Sequence, residues 1–210
     1  MLDFILDLLY PESCVACHRQ KTPLCEDCLY QIDEAPWGSE KIKARFSYAD
    51  LRMRAAIRAL KYRKAQRIAP ILGRHLGEYI LEDLSEMALF SAKEQTLIIP
   101  APLSKERLSE RGFNQAELLA REVAKIINLE VVINNLTKTR HTPTQVSLKD
   151  KELRLTNLSG AFSIIHPEQI KGKTVILIDD VYTTGATIRE ITRTLRTAGA
   201  RKTLAYTVAH

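Results

Sequence analysis

The chain has 210 residues, a formal net charge of +6, 45% hydrophobic residues and 6% aromatic ones. That is enough apolar content for one ordinary core plus a small appendage; with no repeat, low-complexity tract or long apolar run, it excludes solenoid, disordered and membrane-spanning classes. The charge is uneven, because residues 41–75 hold eleven Lys or Arg against one acid, a local +10 that leaves −4 elsewhere.

In chain order, Met1 to Tyr10 set Leu2, Ile5, Leu8 and Leu9 at helical spacing beside Asp3 and Asp7. This stretch lacks the basic start of a signal peptide and is too short to span a bilayer. The expectation is an amphipathic helix packed on the protein, with a membrane contact as the alternative, in a cytoplasmic protein. All four cysteines follow in one window, as Cys14-x2-Cys17 and Cys25-x2-Cys28 seven residues apart. Paired knuckles of this spacing bring four thiolates together tetrahedrally, the arrangement of structural Zn2+. Two disulfides or a redox pair are the alternatives. Disulfides need an oxidising compartment, and a redox pair needs only two of the four cysteines. His18, beside Cys17, is a spare ligand. A module of residues 1–36 with so little core of its own would depend on its metal, and residues 37–210 form the main domain.

Ala55, Ile57, Leu60, Ile68, Ile71, Leu72 and Leu76 recur at helical spacing, so Arg52, Arg54, Arg58, Lys61, Arg63 and Lys64 project from helices whose other face is buried. With Tyr48 and Tyr62 as stacking surfaces, this fits a footprint for single-stranded nucleic acid. A solvated helix face, or cations reserved for an anionic ligand, are the alternatives. Thr96 to Ile99 then read as a short strand broken by Pro100-Ala101-Pro102. Asn114, with Glu117 three residues on, caps a helix whose apolar face is Leu118, Leu119, Val123, Ile126 and Ile127. Lys105, Arg107 and Arg111 fall in the loop between, placed to clamp a diphosphate or simply solvated. Val131 to Ile133 read as a strand. The polar run from Lys138 to Ser159 is long enough for a lid, with Arg140 and Gln145 as candidate ligand contacts.

The most informative stretch comes last. Val175 to Ile178 have the unbroken apolar character of a parallel strand covered on both faces. Ile188, Ile191, Leu195 and Ala198 mark a helix that Gly199 stops. Asp179, Asp180 and the turn Thr183-Thr184-Gly185-Ala186-Thr187 therefore sit where a strand hands over to a helix, the edge at which open α/β sheets bind ligands. Backbone N–H groups and threonine hydroxyls suit a phosphate there, and the acids suit sugar hydroxyls or a hydrated Mg2+. A capped helix whose acids favour its positive end is the alternative.

The run Val175 to Thr187 resembles the phosphoribosyl diphosphate motif of type I phosphoribosyltransferases, which implies an α/β fold with a parallel sheet flanked by helices. The resemblance assigns the ribose hydroxyls to Asp179 and Asp180, and the 5′-phosphate to Thr183, Thr184, Gly185, Ala186 and Thr187. It also implies Mg2+ bound with the ligand, and a lid that carries Arg140. The wider order is the four cysteines, Leu60-Lys61-Tyr62, Pro100-Ala101-Pro102, Arg111-Gly112-Phe113-Asn114-Gln115, then Arg140, Gln145, Arg154, Asn157, Phe162 and the Asp179-Asp180 turn. This order resembles the ComF family over nearly the whole chain. That resemblance implies a cytoplasmic role in handling single-stranded DNA during natural transformation, with competence or DNA-translocation proteins as partners and a retained phosphoribosyl diphosphate site. It implies no transfer reaction, since the cysteine module stands where many phosphoribosyltransferases carry the hood that selects an acceptor. An active transferase using a nucleobase or amine acceptor is the alternative.

Overall fold

A computed structural model of the chain describes residues 13–36, 42–62, 65–86, 95–139 and 160–210. Its strands are β1 (Ile42–Phe46), β2 (Thr96–Pro100), β3 (Glu130–Val131), β4 (Leu136–Lys138), β5 (Phe162–Ile164), β6 (Thr174–Val181) and β7 (Lys202–Ala209). Its helices are α1 (Glu26–Tyr30), α2 (Leu51–Leu60), α3 (Ala65–Glu86), α4 (Lys105–Arg111), α5 (Gln115–Ile127) and α6 (Ala186–Thr197). Five strands pair in parallel in the order β1-β7-β6-β2-β3, and β4 and β5 form a separate antiparallel pair. This is the α/β class expected from the sequence, a parallel sheet flanked by helices.

The pleat of β6 explains how one sheet serves two cores. Ile176 and Ile178 join Leu204, Tyr206 and Val208 in a buried cluster under α2, α3 and α5. Val175 and Leu177 face the other way, into a cluster with Ile188, Ile191 and Leu195 of α6. Between α3 and α5 the helices approach closely because Gly73 and Gly77 carry no side chain. A Cβ at Gly73 would stand 2.5 Å from Glu122 Cβ, and one at Gly77 2.9 Å from Ile126 Cβ. The connections after β2 and β6 run over opposite faces and in opposite directions along the sheet. The crevice outside the carboxyl ends of these two neighbours is therefore the topological switch point, where ligands of such sheets bind.

Residues 13–36 do not stand apart from this core. Cys14, Leu24, Cys25, Cys28, Leu29 and Ile32 are buried in the same cluster as Met53, Ile57, Leu72 and Leu76. Polar contacts reinforce the seam. Arg52 donates to the Gln31 side chain (2.7 Å) and carbonyl (2.6 Å), while Glu26 meets Arg74 and the His75 ring (3.0 Å to Nε2).

Several details differ from the sequence reading. Lys43 and Arg45, counted in the basic segment 41–75, lie on β1 and pair with Asp83 and Glu34. Lys105, Arg107 and Arg111 lie on helix α4, which Ser104 caps by accepting from Arg107 N–H, instead of in a loop. Asn114 does cap α5, accepting from Ala116 N–H at 3.0 Å, but Glu117 pairs with Arg121 rather than closing a capping box. Strand β6 continues through Asp179, Asp180 and Val181, so the acids belong to the paired strand and not to the turn. Met1 to Tyr10, Arg63, Lys64, Arg140 and Gln145 lie outside the described residues. Among the described residues no helix is long and apolar enough to cross a membrane.

Candidate ligand cleft and metal cluster

A cleft of about 470 Å³ opens at the switch point. Its floor is the end of β6. Asp180 is 6% exposed, and Asp179 is enclosed by protein yet touched by solvent through the cleft. The pleat sends the two carboxyls to opposite sides. Asp179 Oδ1 accepts from Asp180 N–H (2.8 Å) and Asp180 Oδ1 from Val181 N–H (2.9 Å), so each acid is braced by its own strand end. Burial, and secondarily the charge of Asp180, push the Asp179 carboxyl well above the usual carboxylate range.

The next wall is the turn into α6. Gly185 has φ 70°, and a side chain there would collide with the Tyr182 ring, so glycine is required twice over. Gly185 at the N-cap brings no capping side chain to α6; Thr184 Oγ1 accepts from Ala186 N–H (3.5 Å), and the start of the helix lines the cleft with Thr183, Thr184 and Thr187. Arg189 donates to the Thr184 carbonyl (2.7 Å) and holds the turn from outside. Gly185→Ala is expected to lower unfolding free energy by about 1–3 kcal/mol, the usual range for a strained backbone position, with urea denaturation as the measurement.

Opposite stand Arg107 and Arg111 of α4. The run Arg111-Gly112-Phe113-Asn114-Gln115 is the joint between two helices. Gly112 ends α4 at φ 77°, Asn114 begins α5 and ties it to the Ala101 carbonyl (3.0 Å), and Gln115 accepts from Arg111 (3.0 Å), steadying that guanidinium at the cleft. Lys105 does not line the cleft; it borders a smaller pocket of about 170 Å³ on the other side of α4.

The sequence reading missed a third set of lining residues, Tyr48, Ser104, Lys138, Phe162 and Tyr182. Lys138 stands 5.9 Å over the Phe162 ring, and burial, then Arg107, push its ammonium down. Lys61, expected on a nucleic-acid face, also lines the cleft, with Nζ 2.9 Å from Asp180 Oδ2. The other expected DNA contacts scatter. Arg52 is bound to Asp50 and Gln31, and Arg54 donates to the Tyr48 carbonyl (2.8 Å) and sits over that ring. Arg58 is exposed on α2, near Tyr62, which is 65% exposed.

The four cysteines converge as the spacing predicts. All four Sγ lie within 4.8 Å of one another, and Cys17 and Cys25 are 3.6 Å apart. A tetrahedral thiolate site with metal–sulfur bonds of about 2.3 Å requires sulfurs about 3.8 Å apart, so the cluster fits a metal of that kind. Tight local turns build it, with His18 and Lys21 at positive φ and Cys14 N–H bonded to the Arg19 carbonyl (2.8 Å). Burial pushes the Cys25 and Cys28 thiols up. At Cys14 burial acts in the same sense, but the N–H groups of Cys17, Cys25 and Ala16 outweigh it and lower the thiol to about 6. His18 is exposed and outside the cluster.

Residues 111–209 match the family model described as "Phosphoribosyl transferase domain". The class is thus a phosphoribosyltransferase-like α/β protein. The chain is 38% identical over 106 residues to "Competence protein F" of Haemophilus influenzae, and 35% identical over 144 residues to "DNA utilization protein YhgH" of Escherichia coli. These alignments take in 50% and 69% of this chain but 46% and 61% of the relatives, so the chain spans about half to three fifths of the length of the curated relatives it matches. Among solved structures, glutamine phosphoribosylpyrophosphate amidotransferase from B. subtilis is similar, with 18% identity, 71% of this chain and 30% of that chain covered, and a TM-score of 0.44. Together with the family match, the relatives make this chain a ComF-family, phosphoribosyltransferase-like protein.

Proposed function

We propose that the cleft binds phosphoribosyl diphosphate with Mg2+, and that the protein uses this site in a competence-related role that handles single-stranded DNA. The observation that carries the reading is that Asp179 and Asp180, a glycine-initiated helix start, and Arg107 and Arg111 line one cleft. In this reading the acids take the ribose hydroxyls and the hydrated Mg2+. Thr183, Thr184, Gly185, Ala186 and Thr187 take the 5′-phosphate, and Arg107 and Arg111 the diphosphate. The four cysteines hold Zn2+ as a structural ion.

The competence role draws on the printed names of the relatives. For DNA, the outward cations of α2 are Arg54 and Arg58, with Tyr62 as a stacking ring. Two phosphate contacts on a single strand give a slope of log affinity against log salt of about −1.4, whereas six would give about −4. Filter retention of a labelled oligonucleotide across a salt series measures it, and Arg54→Gln with Arg58→Gln is expected to make the slope shallower by about 1.4.

The deciding experiment is a calorimetric titration with phosphoribosyl diphosphate and Mg2+, repeated with single-stranded DNA present. Saturable binding supports the reading, and no heat at millimolar ligand removes it. Diphosphate release on adding a nucleobase or amine would turn the protein from a binder into a transferase.

A further inference from the structure

Asp180 Oδ2 is buried, and the group that meets it is the Lys61 ammonium at 2.9 Å. The acid that a ribose hydroxyl must reach is therefore already engaged by a cation. Lys61 reaches it from the C-cap of α2, a helix fixed along its length. Met53, Ile57 and Leu60 are buried, Asp50 caps its start, and Arg52 ties that start to Gln31. The Lys61 backbone is held as well, its N–H bonded to the Arg58 carbonyl at 3.1 Å. Only the four-carbon side chain, 30% exposed, can change position.

We propose that Lys61 is a displaceable counter-ion that makes the cleft selective for ligands carrying a diphosphate beside the sugar hydroxyls. The inference rests on the phosphoribosyl diphosphate reading. A neutral hydroxyl is a poor exchange for an ammonium on a buried carboxylate, so a sugar alone does not dislodge Lys61. A ligand that also brings a diphosphate gives the ammonium a stronger anionic partner. Asp180 then accepts from the hydroxyls, and Lys61 turns to a phosphate oxygen. Arg107, Arg111 and Lys138 line the same cleft and leave it net cationic after Asp179 and Asp180 are counted, which suits a guest of high negative charge. Lys61 is thereby a specificity residue delivered by the segment N-terminal to the sheet's central strands.

The test compares phosphoribosyl diphosphate with ribose 5-phosphate, both with Mg2+, on the full chain and on Lys61→Met and Lys61→Arg. The expected result is that Lys61→Met weakens phosphoribosyl diphosphate at least tenfold, leaves ribose 5-phosphate equal or tighter because Asp180 is released, and so collapses the preference. Lys61→Arg keeps the preference. Equal weakening of both ligands by Lys61→Met, with Lys61→Arg behaving like it, makes Lys61 structural and overturns the inference, as does an unchanged affinity for the diphosphate. Thermal unfolding of each variant separates misfolding from lost selectivity. If the parent chain binds neither ligand, the reading of the cleft itself fails and Lys61 with it; binding of both with no role for Lys61 fails the inference alone.

Discussion

Asp179→Asn with Asp180→Asn is expected to weaken phosphoribosyl diphosphate binding by at least about a hundredfold. Each carboxylate can accept a sugar hydroxyl or a metal-bound water, and hydrogen bonds to charged groups contribute about 1.5–3 kcal/mol apiece, so two lost acceptors account for that factor or more. The amide keeps the shape and the backbone brace, since its oxygen still accepts from the Asp180 and Val181 N–H groups. Metal content of the cysteine cluster stays unchanged, because the cluster belongs to residues 14–28 and shares no ligand with the cleft. Unaltered calorimetric binding in the double variant would remove the site assignment.

The single variant Asp179→Asn carries a second expectation, for stability. Burial raises the Asp179 carboxyl above its ordinary value of 3.8, so between that value and the raised one the folded chain holds a proton that the unfolded chain has released. Stability then falls as pH rises across this window. The amide removes the dependence. Asp179→Asn is expected to unfold at higher denaturant concentration than the parent near neutrality, the gap closing as pH falls toward 3.8. A gap that widens on acidification would show the carboxyl to be lowered instead.

The sequence carried the donor half of the site because it is contiguous. A buried strand, two acids, a glycine at positive φ and an amphipathic helix all lie between Thr174 and Thr197. The walls were illegible for the opposite reason. Tyr48, Lys61 and Lys138 come from segments far apart, and only the order of the strands brings them to one edge. Net charge also concealed partners. Lys43, Arg45, Lys61 and Arg74 read as one basic patch, yet each meets an acid remote in sequence, namely Asp83, Glu34, Asp180 and Glu26. Four strands escaped notice, among them the short antiparallel pair β4 and β5. β1 is an edge strand whose alternating Lys43 and Arg45 were absorbed into that patch. β7 is buried on both faces but written with Thr, Ala and Tyr. Its Tyr206 hydroxyl needs Asp83, 2.6 Å away, to be tolerated there.

Cys25→Ser is expected to release the metal and lower the thermal midpoint of the whole chain by about 10–20 °C, the shift that a loss of about 5 kcal/mol produces in a domain of this size. Zinc-finger peptides draw about 10–16 kcal/mol from their metal, so removing one of four thiolates is expected to take a substantial part of the support from residues 13–36. The damage does not stop at that module. Leu24, Leu29 and Ile32 cover Met53, Ile57 and Leu72, and when they leave, the outer side of α2 and α3 is exposed to water. Helix α2 also bears Arg52 against Gln31 at one end and Lys61 against Asp180 at the other. Loosening its first turn therefore reaches the cleft, and ligand affinity is expected to fall with metal loss although no cysteine lines the cleft. Metal analysis, a thermal scan with and without a chelator, and the same calorimetric titration check the three parts together. A chain that carries no metal as purified, melts unchanged after Cys25→Ser and binds its ligand as before would show that the thiols merely pack, and that the cysteine module and the cleft are independent.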